Sequence, residues 1–253
     1  MTGPTSLWEQ TCVSYSLFGG NTDTRSHGID TYVAGVELAA LAWQLLSPGL
    51  KLVLFIHRAS IPTELLKRVD AWVEEFDVLV VERGESRGRD GARWRFDAAW
   101  MPYRFVFTRD LDSLPRPDEV ANMAFFQKSD RTLQLLRSKW HFKRVLAGLC
   151  GISVGPFRQH FPSADHFWRG WDYTRYGQEE RRLSEVVREL GGHHCVEGHN
   201  SARISGSLRP HPREIAELTP RVPGYPDGGF AGKILTCRRI SGAVTMLREL
   251  AGH

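Results

Sequence analysis

Two aspartates one residue apart, Asp110 and Asp112, close the apolar run Phe105-Val-Phe-Thr-Arg109. A chain leaving a strand into a turn can aim both carboxylates at one ion. Hard divalent cations take oxygen ligands, and Mg2+ is commonly shared with substrate phosphates. Mn2+ accepts the same ligand type. Ligands of α/β sheets gather at the carboxyl ends of strands, which strengthens the metal reading. The competing reading is a polar turn closed by Asx hydrogen bonds and a helix cap. Further along, Glu179 and Glu180 open a charged amphipathic segment. A carboxylate there can take the proton of an attacking hydroxyl, or simply suit the positive end of a helix. Arg95, just before the apolar run, Arg109, next to the aspartates, and Lys233, after Ala231-Gly232, are candidates for holding phosphate or the aspartate turn. The planar fork of arginine pairs with two oxygens at once. For Arg95 a surface salt bridge is an equal reading.

The elements that must position these groups follow from hydrophobic periodicity. Residues 12–18 read as a strand, broken at Gly19-Gly20-Asn21. Residues 32–46 carry apolar side chains at helical spacing and stop at Ser47-Pro48-Gly49. Strands are predicted at 50–57, 76–81 and 103–108, with helices at 62–74, 93–99 and 117–126 between and after them. Near-continuous apolar strands alternating with helices mean a mostly parallel sheet covered on both faces. The second half is less regular. An apolar, glycine-rich stretch at 145–154, a helix at 179–190 and a strand near 230–236 suit a mixed or antiparallel extension of that sheet. The chain carries neither the dinucleotide-binding nor the P-loop glycine fingerprint.

Composition narrows the class. The 253 residues are 42% hydrophobic and 25% charged, which fits an ordinary globular protein and excludes general disorder. No apolar run reaches the length of about 18 residues that suggests a membrane span. The first ten residues do not resemble a secretory signal, and the four cysteines are too scattered for a disulfide framework or a CxxC zinc site. A soluble protein of a reducing cytoplasm, the host's for a viral chain, is the expectation. The formal net charge is +4, with 27 Arg against 6 Lys. That bias suits phosphate recognition, whether of a nucleotide or of nucleic acid, and equally a solvated basic surface. His193, His194 and His199 match no established zinc spacing.

With these residues in view, the chain resembles GT-A-type glycosyltransferases. Arg109-Asp-Leu-Asp-Ser113 after its strand resembles their DxD segment, and Trp94-Arg95-Phe96 the short segment before that strand in a group of small viral, bacterial and phage enzymes. Leu146-Ala-Gly-Leu-Cys-Gly151 is similar to their glycine-rich strand, and Tyr176-Gly-Gln-Glu-Glu180 to their YGxD/E segment. His199-Asn-Ser and Phe230-Ala-Gly-Lys233 resemble the late His and FxG motifs. The group is related to the glucosyltransferase of hydroxymethyluracil in kinetoplastid DNA.

The resemblance implies one GT-A-like domain over 1–253, a mostly parallel mixed sheet flanked by helices. The nucleotide-sugar half falls at 1–126 and the acceptor half at 127–253. It implies Mg2+ or Mn2+ on Asp110, Asp112 and His199, and a nucleotide sugar, UDP-linked in first place, beside Gly19, Arg95, Arg109, Asp110 and Lys233. Glu179, or else Glu180, would be the base. The acceptor would be a hydroxymethylated pyrimidine in DNA, or else a glycan or small molecule. In the DNA case the aromatic stretch with Trp168 and Trp171 could hold a displaced base, unless it is core. Two departures stand out: Ser138-Lys-Trp-His141 lacks the Asp and Pro of the group's Asp-His-Pro, and Leu114 replaces a common Arg. The rivals are nucleotidyl or phosphoryl transfer, and a non-catalytic DNA- or sugar-binding module.

Overall fold

The structure, a computed structural model, describes residues 8–19, 28–84, 90–136, 146–172, 177–198, 204–226 and 237–252. In chain order the described elements are β1 (Thr11–Leu17), α1 (Ile29–Leu46), β2 (Lys51–Ile56), α2 (Thr63–Glu75) and β3 (Leu79–Glu82). A 3-10 stretch (Asp90–Trp100), β4 (Phe105–Arg109), α3 (Pro117–Lys128), β5 (Leu133–Leu135), β6 (Leu149–Ser153), α4 (Val154–His160) and α5 (Ala164–Trp168) come next. α6 (Gln178–Leu190), β7 (Cys195–Glu197), α7 (Pro212–Leu218) and α8 (Cys237–Ala251) complete them. The strands form one sheet in the order β3-β2-β1-β4-β6-β5-β7. All described pairings are parallel except those of β6, which runs antiparallel to both β4 and β5. The mixed, mostly parallel sheet expected from the alternation is therefore present.

Period-two alternation sorts each central strand between two cores. Val13, Tyr15, Leu17, Leu54, Ile56, Phe105 and Phe107 face the layer of α1, α3 and α8. Cys12, Val53, Phe55 and Val106 face the opposite layer with Ile152, Phe157, Phe167 and Trp168. Every residue of α1 from Val33 to Trp43 is buried. The helix lies under α8 and beside α2 as well as on the sheet, so it needs no polar face. It ends at Leu46, just before Pro48, and the chain then turns at Gly49 with φ +90°.

Several elements differ from the sequence reading. The third strand starts at Leu79, because Phe76 caps α2 and Asp77 turns the chain with φ +50°. Residues 90–100 wind as a 3-10 helix. β5 and β7, three residues each, were not expected; strands that short exist through their neighbours and show no period of their own. α8 was also not expected, although Ile240, Ala243 and Leu247 lie buried at helical spacing. The strand expected near 230–236 lies outside the described residues.

Candidate active site at the carboxyl ends of β1 and β4

Asp110 leaves β4 directly, beside the carboxyl end of its parallel neighbour β1. The antiparallel register sets Thr108 opposite Cys150 and Arg109 opposite Leu149, so the turn before β6 arrives at the exit of β4. Thr108 Oγ1 donates to the Ala147 carbonyl at 2.5 Å and fixes that turn. The result is close contact: a Cβ built on Gly148 would lie 1.9 Å from Asp110 Oδ2. From the other layer, α1 presses on the same loop at Gly35, where a Cβ would lie 1.9 Å from the Leu111 carbonyl oxygen. Two glycines far apart in sequence thus let a strand turn and a helix close on the Asp110-Leu-Asp112 segment.

Arg95 approaches the segment from the 3-10 stretch. Its neighbours Trp94 and Phe96 are buried, Phe96 edge-on to Trp168 with ring centroids 5.7 Å apart. The Arg95 amide donates to Ser16 Oγ at 2.9 Å, which ties the stretch to β1. Its guanidinium ion-pairs with Asp110 Oδ1 and also donates to the Arg109 carbonyl at 3.4 Å. The side chain of Arg95 is 8% exposed and that of Asp110 49%. Burial alone would lower the Arg95 pKa; the fields of Asp110 and then Glu179 more than offset it and raise the value, with Glu180 adding to them. Arg95 is therefore paired with the strand-end carboxylate and lies within the field of the two glutamates of α6.

Arg109 does something else. Its side chain points into the core, where Nη1 donates to Glu119 Oε2 at 2.6 Å. Nη2 donates to Ser113 Oγ at 3.1 Å, and Ser113 Oγ donates to the Asp110 carbonyl at 3.0 Å. The guanidinium expected at the nucleotide is held by Glu119 and shapes the aspartate turn from below. Gly19, at the end of β1, donates its amide to Ser60 Oγ at 2.7 Å, which packs the first strand against the segment after β2.

Asp112 is buried, and its pKa is pushed up to about 7, by burial first and the neighbouring Asp110 second. Glu179 is buried in the first turn of α6, and burial raises its pKa against the opposing field of Arg95. His199 and Lys233 lie outside the described residues. Glu197, two residues before His199, accepts from Ser207 Oγ at 2.6 Å and Arg209 Nη2 at 2.7 Å, which pins the 204–209 segment to β7. Among the described residues no three His, Cys, Asp or Glu side chains form a metal cage. Two clustered carboxylates, one of them buried, fit instead a hard cation that draws its remaining oxygens from phosphate and water. Sequence reasoning missed Gly35, Gly148, Ser16 and Glu119 as supports of the site. Only the glycine-rich segment around Gly148 carried a visible signal.

The sheet order and the antiparallel β6 define a GT-A-like α/β fold. The superposable solved structures include a mannosyltransferase from Pyrobaculum calidifontis in complex with GDP-mannose and Mn2+. It aligns over 96% of this chain and 74% of that one, with a TM-score of 0.52 and 10% identity. An active-site mutant of LgtC aligns over 96% and 95% of the two chains, with a TM-score of 0.47 and 12% identity. The 4-diphosphocytidyl-2C-methyl-D-erythritol synthase of Anaerococcus prevotii aligns over 85% and 97%, with a TM-score of 0.47 and 10% identity. No protein-family model and no curated protein matches the sequence. No described helix is long and apolar enough to cross a membrane.

Proposed function

We propose that this chain is a glycosyltransferase that moves a sugar from a nucleotide-sugar donor to an acceptor hydroxyl with Mg2+ or Mn2+. The observation that supports this reading most is the gathering of Asp110, Asp112, Arg95 and Glu179 where β1 and β4 end, in a GT-A-like sheet. A divalent cation bound at the aspartates would offset charge on the departing nucleoside diphosphate. Arg95 adds a positive charge on the same side, its backbone anchored to Ser16 beside the strand ends. Glu179 takes the acceptor proton as the acceptor oxygen bonds to the anomeric carbon and the bond from that carbon to the diphosphate breaks. Glu180, next in the same helical turn, is the alternative base. Burial raises the pKa of Glu179, which makes it a stronger proton acceptor than an exposed glutamate.

In this reading residues 1–126 carry most of the donor site and 127–253 the acceptor side, with His199 and Lys233 as further metal and phosphate ligands. UDP-sugars are the first donors to test, and GDP-sugars the second, because the superposed mannosyltransferase holds GDP-mannose. The acceptor assigned from the resemblance to the modified-base group is a hydroxymethylpyrimidine in DNA. Trp168 is packed in the core against Phe96 and Phe167. Of these two described tryptophans, Trp171, half-buried, is the one placed to meet a displaced base. The test combines both donor sets and either metal with duplexes differing only in hydroxymethylation, beside glycan acceptors, and reads intact product mass. Sugar mass added only to modified DNA supports the whole assignment. Transfer only to glycans overturns the acceptor. Nucleotide turnover without sugar transfer to any acceptor, or an Asp112→Asn variant as active as wild type, overturns the reading itself.

A further inference from the structure

We infer that Arg95 is a built-in stand-in cation: it holds Asp110 until a nucleoside diphosphate draws the guanidinium away, so that divalent metal and diphosphate bind as a coupled pair. The inference rests on the glycosyltransferase reading for the identity of the two ligands.

The geometry at Asp110 carries it. One carboxylate oxygen ion-pairs with Arg95. The other lies against Gly148, so closely that a Cβ there would sit 1.9 Å from it. An ion entering from solvent therefore finds one oxygen engaged and the other backed by main chain. A hard cation binds a carboxylate oxygen directly, and Arg95 occupies that side of Asp110 Oδ1. The two cations thus compete for one ligand atom, and they also repel each other. Arg95 cannot be swept aside by solvent, because its flanking rings are in the core and its amide is fixed to Ser16. Only the guanidinium end has freedom, and only an anion gives it reason to move. Asp110, Glu179 and Glu180 already act on it. A diphosphate carries more negative charge than one carboxylate and offers oxygens to both arms of the arginine fork, whereas here Arg95 meets only one oxygen of Asp110. Once Arg95 turns to the diphosphate, Asp110 Oδ1 is released to the metal, and the same diphosphate supplies oxygens to that metal. Arg109 cannot replace Arg95 in this exchange, because Glu119 and Ser113 hold it inside the core.

The experiment titrates Mn2+ into the full chain and follows free Mn2+ by electron paramagnetic resonance, alone and with UDP or GDP. Wild type, Arg95→Met and Arg95→Lys are compared. Without nucleotide, Arg95→Met is expected to bind Mn2+ at least about tenfold more tightly than wild type, since a like charge in contact with the ligand atom is gone. Arg95→Lys, which keeps the charge and loses the fork, falls between them. In the nucleotide complex Arg95 has already left Asp110, so the substitution changes Mn2+ affinity little there. The factor by which nucleotide tightens Mn2+ therefore shrinks in Arg95→Met about as much as free-Mn2+ binding tightens. In each protein Mn2+ tightens nucleotide by that same factor. Equal or weaker Mn2+ binding by a folded Arg95→Met overturns the inference. Where the Met variant does not fold, Arg95→Lys decides alone: tighter free-Mn2+ binding than wild type supports the inference, and equal binding overturns it. Sugar transfer is assayed separately. Absence of transfer alongside the expected Arg95 effect sinks the transferase reading and supports the exchange. Normal transfer without that effect does the reverse.

Discussion

Replacing Gly148 by alanine perturbs the candidate site at a single atom. The new methyl carbon would lie 1.9 Å from Asp110 Oδ2 and 2.5 Å from its Cγ, where ordinary contact begins at 3.4 Å. Relief requires a retreat of about 1.5 Å, the difference of those two distances. Backbone conformation is not the obstacle, since Gly148 does not have the left-handed φ that excludes alanine. The turn before β6 is fixed by Thr108, and Asp110 is held on its far side by Arg95. The carboxylate is the softest of these parts, so it rotates out of its pairing. Overpacking of this kind costs about 1–3 kcal/mol of stability. Misplacing a reacting or ligating group by about 1 Å costs about a hundredfold in rate. Gly155 is the internal control: it lies in α4, with open space around its would-be Cβ, so alanine there is neutral to mildly stabilising. Urea unfolding of both variants, with donor turnover at saturating Mn2+, measures the two effects. Wild-type stability and turnover in Gly148→Ala would show that Asp110 is not held as described.

Three further outcomes follow from other parts of the structure. Glu119→Gln leaves the Arg109 guanidinium, 3% exposed, without its counter-charge, and should cost about 3–5 kcal/mol; an Arg109→Met/Glu119→Leu double variant that is no more stable than the single would refute that account. Burial pushes Asp97 up to about 6 from 3.8 despite its pairing with Arg83. The folded chain then holds a proton that the unfolded chain has lost, so stability falls as pH rises from about 4 to about 6, by about 3 kcal/mol in total, and is flat above. Asp97→Asn should remove that slope from urea midpoints measured across the window, and an unchanged slope speaks against it. Glu179→Gln should slow the transfer step about 10²–10⁴-fold in single-turnover assays while leaving Mn2+-dependent nucleotide binding within a few-fold. If Glu180→Gln produces that loss instead, the base is Glu180.

What could be read from the sequence were residues whose signal is local. Asp110 and Asp112 follow an apolar strand at once, so their place at a strand's carboxyl end needs only the strand to be recognised. Glu179 stands in the first turn of a strongly amphipathic helix, and that too is visible in a short window. The supports of these groups are visible in no window. Gly148 matters because antiparallel pairing carries it to Asp110, and Gly35 because α1 lies on the aspartate loop. Each glycine is silent until the tertiary contact exists. Arg109 shows the converse. Its sequence position beside the aspartates pointed to the ligand, yet strand alternation turns its side chain to the opposite face from Asp110, where Glu119 of α3 waits. The same alternation leaves Arg95, which comes from a 3-10 stretch rather than a strand, free to meet Asp110 from the outside. Two arginines that the sequence offers as phosphate or aspartate-turn candidates are therefore separated, Arg109 by the pleat of β4 into a structural cation and Arg95 by its 3-10 stretch into the exchangeable one. The Mn2+ titration distinguishes them because only Arg95 ion-pairs with Asp110.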